Sequence, residues 1–347
     1  MNQIRYEDAQ TIANADLPWE KLNEKTVLIS GANGYVPAYF VHAFMMRNDL
    51  YDSGIKVIAL CRSEERAKER FNEYLHRNDF VLHIQDVCDP IQIPDEIHYF
   101  IHAASPAGVK ISNLEPVSTF TANVIGCKNM LELSLKKQVE GFLFLSSIDV
   151  YGKISPAKRF VETDSGALDS LNPRNVYAVG KRAAENLCAC YFAQYKTPVI
   201  IVRPSQIMGP GISLDDGRLH IDFISQMLSG DKIVLKSDGS ARRSFIYITD
   251  AIMGMLTAMF EGPHGEAYNV ADESGEASVL ELAQLMASMM RGRKIEVIFD
   301  YEKRNTIEVT SAPSVTIGDS SKLRMLGWQP KFSLEGSAAR MMRYYGL

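Results

Sequence analysis

The strongest constraint on the fold is a rhythm: short apolar runs separated by stretches of helical length. The runs cover residues 26–30, 56–60, 80–84, 99–102, 142–146 and 199–203. Each is a few residues long and apolar on both alternations, the pattern of a strand buried on both faces. Residues 64–77 are charged and amphipathic, and residues 117–137 and 176–195 are long enough for several helical turns. Strands alternating with helices build a parallel sheet covered on both faces. After Arg203 the segments shorten and turn dipeptides multiply, as in Gly209-Pro210-Gly211, Asp216-Gly217, Ser229-Gly230 and Asp238-Gly239. The chain therefore divides into an α/β sheet domain over 25–203 and a smaller mixed α/β lobe over 204–347. Ligands of open α/β sheets lie at the carboxyl ends of the strands, so a cleft facing this lobe is expected. Residues 1–24 read as a polar extension, with Leu17, Pro18 and Trp19 as its anchor.

The overall balance narrows the partners. Net charge is -5, with Lys and Arg scattered, which argues against a nucleic acid or an acidic membrane surface. The longest apolar runs fall well short of the roughly 20 residues of a membrane helix, and the start MNQIRYEDAQ does not read as a secretory signal. The five Cys show no CxxC pairing, and the seven His are dispersed with no Cys/His cluster. These features predict reduced thiols, no metal site and a cytoplasmic location.

The first run leads into Gly31-Ala32-Asn33-Gly34-Tyr35-Val36-Pro37. Gly31 makes the tight turn, Gly34 admits a diphosphate close to the backbone, and the following helix presents free N–H groups to it. The third glycine of the usual pattern is replaced by Pro37 and Ala38, and Pro suits a first helical turn. This is the turn of a doubly wound Rossmann sheet that binds a dinucleotide. The second run ends in Cys61-Arg62-Ser63, where an acid would favour NAD. Arg62 instead offers a fork for a 2′-phosphate, so the cofactor is read as NADP or NAD with a lean to NADP. Asp86 follows the third run as an acceptor for the adenine amine.

Tyr177 and Lys181 stand four residues apart at the start of a helix and share one face. An ammonium beside a phenol lowers its pKa and so makes it a better base. Ser147, after the fifth run, is placed to bond the same substrate oxygen and to stabilise an alkoxide during hydride transfer.

Taken in order, GANGYV, HAAS at residues 102–105, Asn123 with Gly126 and Asn129, SSIDVYG, YAVGK, Arg203-Pro204, Gly209-Pro210, RSFIYITD and LGWQP resemble the extended short-chain dehydrogenase/reductase family. That family comprises NAD(P)-dependent nucleotide-sugar epimerases, dehydratases and decarboxylases. The resemblance covers the chain from about Lys25 onward. It implies a catalytic set of Ser147, Tyr177 and Lys181, with Asn123 supporting the lysine. It implies cofactor contacts at Gly31, Asn33, Gly34, Tyr35, Val36, Arg62, Asp86, Val87, Ala103, Ala104, Ser105, Asn123, Tyr177 and Lys181.

Members of the family oxidise C4 of the sugar and then diverge. Dehydratases carry two acids before VYG; this chain has Ile148 and Asp149, which disfavours 4,6-dehydration. HAASPAGV, YAVGKRAAE and Asp216-Gly217-Arg218 are similar to stretches of UDP-glucuronate decarboxylases. Their Glu before VYG is Asp149 here, one methylene shorter, and their Arg in RxF is Arg243. Substrate contacts are expected at Ser147, Gln206, Arg218 and Arg243, with Gln206 standing where an Asn is common. A 4-epimerase or an NADPH-dependent 4-ketoreductase is the alternative, and a non-catalytic NADP sensor a further one. The resemblance also implies a homodimer paired through helices 117–137 and 176–195, with Leu131, Leu133 and Leu135 offering apolar surface.

Overall fold

Branched and aromatic side chains dominate the apolar runs, and alternate positions along each strand feed two different cores. The computed structural model describes residues 1–106, 112, 114–154, 156–300 and 315–347; residues 107–109 of the HAASPAGV stretch lie outside the described residues. The strands β1 (Thr26–Ser30), β2 (Lys56–Cys61), β3 (Phe80–Ile84), β4 (Tyr99–His102), β5 (Gly141–Leu145) and β6 (Val199–Pro204) form where the sequence predicts them. With β10 (Ala267–Val270) they make a seven-stranded sheet in the order β10-β6-β5-β4-β1-β2-β3, every neighbouring pair parallel. The order reverses between β1 and β4, which opens a crevice at their carboxyl ends.

Val27 and Ile29 enter one core with α2 (Tyr35–Tyr51), α3 (Glu64–Phe71) and α7 (Ile248–Glu261). Leu28 enters the other with α4 (Pro116–Lys137) and α5 (Val176–Tyr195). Leu131 and Leu133 belong to that second core and are buried, which corrects their assignment to an outer apolar surface; Leu135 alone of the three is exposed. Helices α3 and α4 differ little from expectation, although α3 ends at Phe71 and gives way to a 3-10 turn over Asn72–Tyr74.

The second lobe has its own core. It is built from β7 (Gln206–Met208), α6 (Leu219–Ser229), β8 (Lys232–Leu235), β9 (Arg242–Tyr247), β11 (Glu276–Ser278), α8 (Val279–Ser288), β12 (Glu296–Phe299), β13 (Val315–Thr316) and α10 (Leu334–Tyr344). Strand β9 pairs with β7, β11 and β13, and β8 pairs with β12. The short α9 (Ser321–Arg324) leads to Trp328. Helix α7 is buried at every position over 248–260, so its sequence is apolar all round. Asp250 in its first turn accepts from the backbone N–H of Lys331 at 2.9 Å and Phe332 at 2.8 Å, and Trp328 Nε1 donates to the Asp250 carbonyl at 3.0 Å. The RSFIYITD and LGWQP stretches are thus fastened to each other.

The polar extension proves to be structured. Residues Gln3–Ala13 form helix α1, capped by the Asn2 side chain, which accepts from Ile4 N at 2.9 Å. Trp19 and Leu22 are buried on the body, as an anchor there requires. Asp8 is fully buried. It accepts from Arg340 Nε at 2.9 Å and from the Tyr247 hydroxyl at 2.9 Å, which ties α1 to α10 and β9. Burial raises the Asp8 pKa, opposed by Arg340 and Tyr247. A carboxylate meant for burial looks like any surface acid in sequence, because its partner is 332 positions away. Removing one partner of a buried pair typically costs about 3–5 kcal/mol. Arg340→Ala is therefore expected to lower unfolding stability by about 3 kcal/mol in urea titration, while Glu20→Ala on the exposed surface leaves it unchanged.

Candidate functional site

A cleft of about 1740 Å³ opens at the carboxyl ends of β1 and β4 and runs between the sheet and the second lobe. Ordinary small-molecule sites enclose about 300–1,000 Å³, so this one has room for two nucleotide-sized ligands. Gly31 ends β1 with φ +64, and a Cβ there would lie 2.7 Å from Ala104 Cα. Only glycine lets the backbone turn this tightly against β4. Gly34 N donates to Gly31 O at 2.8 Å, and α2 starts at once, so the free N–H groups of its first turn face the cleft beside Asn33, Gly34, Tyr35 and Val36.

Ser30 Oγ accepts from Ala103 N and Ala104 N, each at 3.2 Å, and lies 2.7 Å from His102 Nδ1. This network pins the HAAS stretch to β1. Ser105 Oγ is buried at the cleft wall with no hydrogen-bond partner among the described residues. The tight cradle at Gly31, the free helix N–H groups and this orphaned hydroxyl fit a dinucleotide diphosphate.

Several of the expected contacts are arranged differently. Arg62 is 71% exposed, and its Nη1 stands 3.9 Å from Asp86 Oδ2. Asp86 also accepts from Cys88 N at 2.9 Å, so it shapes its own turn. Val87 is buried against Gly126. The Tyr35 hydroxyl is buried against Gly209. Asn123 donates to Thr119 O at 2.9 Å and packs on Gly180; no hydrogen bond joins it to Lys181 among the described residues. Its Oδ1 is buried without a partner among the described residues.

Ser147, Asp149, Tyr177 and Lys181 do converge on one stretch of the cleft. Ser147 follows β5 and caps a 3-10 turn over Ile148–Tyr151: its Oγ accepts from Asp149 N at 3.1 Å and donates to Asp149 Oδ2 at 3.2 Å. Lys181 is 2% exposed; its Nζ donates to Leu145 O at 2.6 Å and lies 5.9 Å from the Tyr177 ring centroid. Burial pulls the Lys181 pKa down to about 8. Burial, then the Asp149 charge, push Tyr177 up to about 12, against Arg218 and the Ser147 hydrogen bond. The expected lowering of Tyr177 by its lysine is therefore not realised by the chain's own groups. Burial also raises Asp149, against the Ser147 bond and the Arg243 charge. The site holds a protonated phenol beside a carboxyl whose pKa burial raises.

Gln206 at the start of β7, Arg218 before α6 and Arg243 on β9 line the facing wall. Arg218 Nε lies 3.3 Å from Asp216 Oδ1, and its guanidinium sits 5.7 Å from the Tyr35 ring centroid. His220 is buried behind this wall and held down at about 3 by burial, Arg218 and Arg243. It is neutral at any working pH. Sequence reasoning also passed over Arg5, Arg66 and Arg70, which line the other end of the cleft. The four-residue spacing of Arg62, Arg66 and Arg70 was a usable signal; nothing local marked Arg5.

The NAD dependent epimerase/dehydratase family model matches residues 27–271. UDP-glucuronic acid decarboxylase 4 of Arabidopsis thaliana is 30% identical over 318 residues, spanning 91% of this chain and 68% of the plant protein. UDP-glucuronic acid decarboxylase 1 of Danio rerio is 28% identical over 326 residues, spanning 93% and 73%. Among solved structures, the UDP-glucuronic acid 4-epimerase of Bacillus cereus, in complex with UDP-glucuronic acid and NAD, matches with a TM-score of 0.74 at 22% identity, over 92% of this chain and 98% of that one. With a family match across most of its length and the same seven-stranded fold, this chain belongs to the NAD-dependent epimerase/dehydratase family.

Proposed function

We propose that this protein decarboxylates a nucleotide-linked hexuronic acid, UDP-glucuronate first among them, through a 4-keto intermediate. The observation that carries the reading is Asp149: a carboxyl lining the cleft, bonded to Ser147, charge-coupled to both Tyr177 and Arg243, with its pKa raised above the ordinary carboxylate value. The relatives named above support the substrate class. In this reading residues 25–203 hold mainly the cofactor and residues 204–347 mainly the sugar nucleotide.

Tyr177 acts on the C4 hydroxyl, taking its proton on oxidation and returning it on reduction. Ser147 holds the same oxygen, and Lys181 keeps a positive charge beneath the pair while Asn123 braces the helix crossing. A bound oxidised nicotinamide supplies a hydride acceptor at C4 and a positive ring that opposes the burial holding Tyr177 protonated. Once C4 is a ketone, the C5–C6 bond breaks. Carbon dioxide leaves, and the electron pair spreads from C5 onto O4, where Tyr177 and Ser147 stabilise it. Asp149 in its acid form then delivers a proton to C5, and Arg243 orients the departing carboxylate. Arg218 and Gln206 hold the diphosphate and sugar. The cofactor is read as NADP on the strength of Arg62, with NAD as the alternative.

Two copies pairing through α4 and α5 complete the reading. Val117, Phe120 and Ile125 on α4 are exposed apolar side chains that such a pairing would cover. The five free thiols suit a reducing cytoplasm.

Incubation with UDP-glucuronate followed by chromatography and mass spectrometry tests the reading: loss of carbon dioxide supports it, whereas a new, chromatographically distinct isomer of unchanged mass identifies a 4-epimerase. Tyr177→Phe is expected to cut turnover by about 10³-fold, within the range for lost acid–base catalysis, with cofactor affinity retained in a fluorescence titration. Asp149 serves as a proton donor, so the rate should fall as pH rises through its raised pKa. In Asp149→Asn that limb of the pH profile should vanish and the decarboxylation rate drop about 10²-fold.

A further inference from the structure

Two thiols lie behind Lys181 and take no part in the mechanism above. Cys127 of α4 and Cys188 of α5 are fully buried, and their sulfurs are 3.9 Å apart. Helix packing brings them together. Gly180 meets Asn123 between the two helices, and a Cβ on Gly180 would lie 3.1 Å from Asn123 Cβ. Cys127 follows Asn123 by four residues and Cys188 follows Gly180 by eight, so both continue the faces that meet there. Cys127 Sγ also lies 3.9 Å from the carbonyl of Ala184, on the intervening turn of α5.

The surroundings set this pair apart from inert core cysteines. Ser30 Oγ accepts from Ala103 N and Ala104 N, so its own proton goes to His102 Nδ1 at 2.7 Å and the ring N–H sits on Nε2. His102 is hydrogen-bonded to Cys127, and Lys181 places a positive charge near it. Burial opposes ionisation of Cys127, but the Cys188 thiol, His102 and Lys181 outweigh it and lower its pKa. Cys188 moves the other way, raised by burial and by Cys127. One thiol is thus prepared as a nucleophile and its neighbour as the group that resolves the product. Ala104 and Lys181 both line the cleft and border this core, so a small neutral oxidant has a short route to the sulfurs.

We infer that Cys127 and Cys188 form a reversible oxidation site that closes to a disulfide under a hydroperoxide. The Cys127 thiolate attacks one peroxide oxygen: an S–O bond forms, the O–O bond breaks, and hydroxide leaves and takes up the proton that Cys127 released. Cys188 then attacks the sulfenic sulfur: the S–S bond forms, the S–O bond breaks, and the Cys188 proton leaves with the hydroxide as water. Two thiols are oxidised by two electrons and one hydrogen peroxide is reduced to two waters. Disulfide sulfurs stand about 2 Å apart, so closure draws α5 toward α4. The bond lies two turns beyond Lys181 on the same helix, and Lys181 Nζ is held at 2.6 Å by Leu145 O of the neighbouring strand. Closure therefore moves the lysine relative to the cleft floor. Its effect on the cofactor rests on the reading that Lys181 contacts the dinucleotide.

Treatment of the folded full chain with hydrogen peroxide, followed by intact mass measurement and non-reducing peptide mapping, tests the inference. The expected result is loss of two hydrogens and of two of the five free thiols, with one bond joining the Cys127 and Cys188 peptides. Dithiothreitol should reverse it. The bond should form equally in Cys190→Ser, which removes the exposed thiol nearby, and not in Cys188→Ala. The wild-type map decides by itself, so the test does not hinge on a variant folding. If peroxide oxidises Cys190 while Cys127 and Cys188 stay free thiols, or if they join only after unfolding in urea, the inference is overturned. In the oxidised wild type, affinity for NAD in a fluorescence titration should fall about tenfold, the scale of one charge-assisted contact, and recover with dithiothreitol. Lys181→Met in the reduced protein checks the contact separately. If it leaves NAD binding unchanged, the reading of Lys181 fails while the mapped bond still supports the oxidation site.

Discussion

The site depends on one ion pair outside it. Arg203 at the end of β6 holds Glu185 of α5 in two parallel bonds, Nη2 to Oε2 at 2.6 Å and Nε to Oε1 at 2.9 Å. The same guanidinium donates from Nη1 to the Tyr151 hydroxyl at 2.9 Å, and Tyr151 donates to Asn269 Oδ1 at 2.7 Å. One planar side chain thereby fixes the helix that carries Tyr177 and Lys181 against the turn that carries Ser147 and Asp149. It also joins both to β10. The pair is only slightly exposed, so its geometry is weakly screened and its bidentate form adds direction to charge. Three stretches of separate sequence, the Arg203-Pro204 dipeptide, the VYG turn and the end of YAVGKRAAE, meet at this one point.

Protonation is set mainly by burial. Lys181 moves down and Tyr177 up because both are removed from water, and their separation is bridged by no direct bond. The residues thus provide position, while the charge that would lower the phenol must arrive with the ligands. Under the proposed function this division leaves the chemistry at C4 to the phenol, hydroxyl and ammonium, and the fate of the ketone to Asp149 beside VYG.

The sheet was legible in the sequence because strands buried on both faces leave uninterrupted apolar runs, as at residues 26–30 and 80–84, and because glycine at residue 31 has a steric reason. The order of motifs placed Ser147, Tyr177 and Lys181 in one cleft. Features made by distant partners stayed hidden. Helix α1 has no continuous apolar stripe, since Asp8 is buried by virtue of Arg340 and Tyr247. Leu131 and Leu133 read as outer surface until the sheet claimed them. The pKa of Tyr177 depends on how deep it lies, which spacing along a helix does not encode. Arg5 reaches the cleft only because α1 docks where it does.

Helix α7 carries a mechanical consequence. It packs in the core beneath β5, β6 and β10 and also against β7 and β9, with Trp328 and Asp250 locking its first turn. A single buried rod therefore runs through both walls of the cleft. Opening the mouth by swinging one lobe away from the other would tear a dry core instead of flexing a linker. Admission and release must then rely on side-chain rotation and the loops at the rim, which makes those loops the natural place for substrate range to drift while the catalytic geometry stays still.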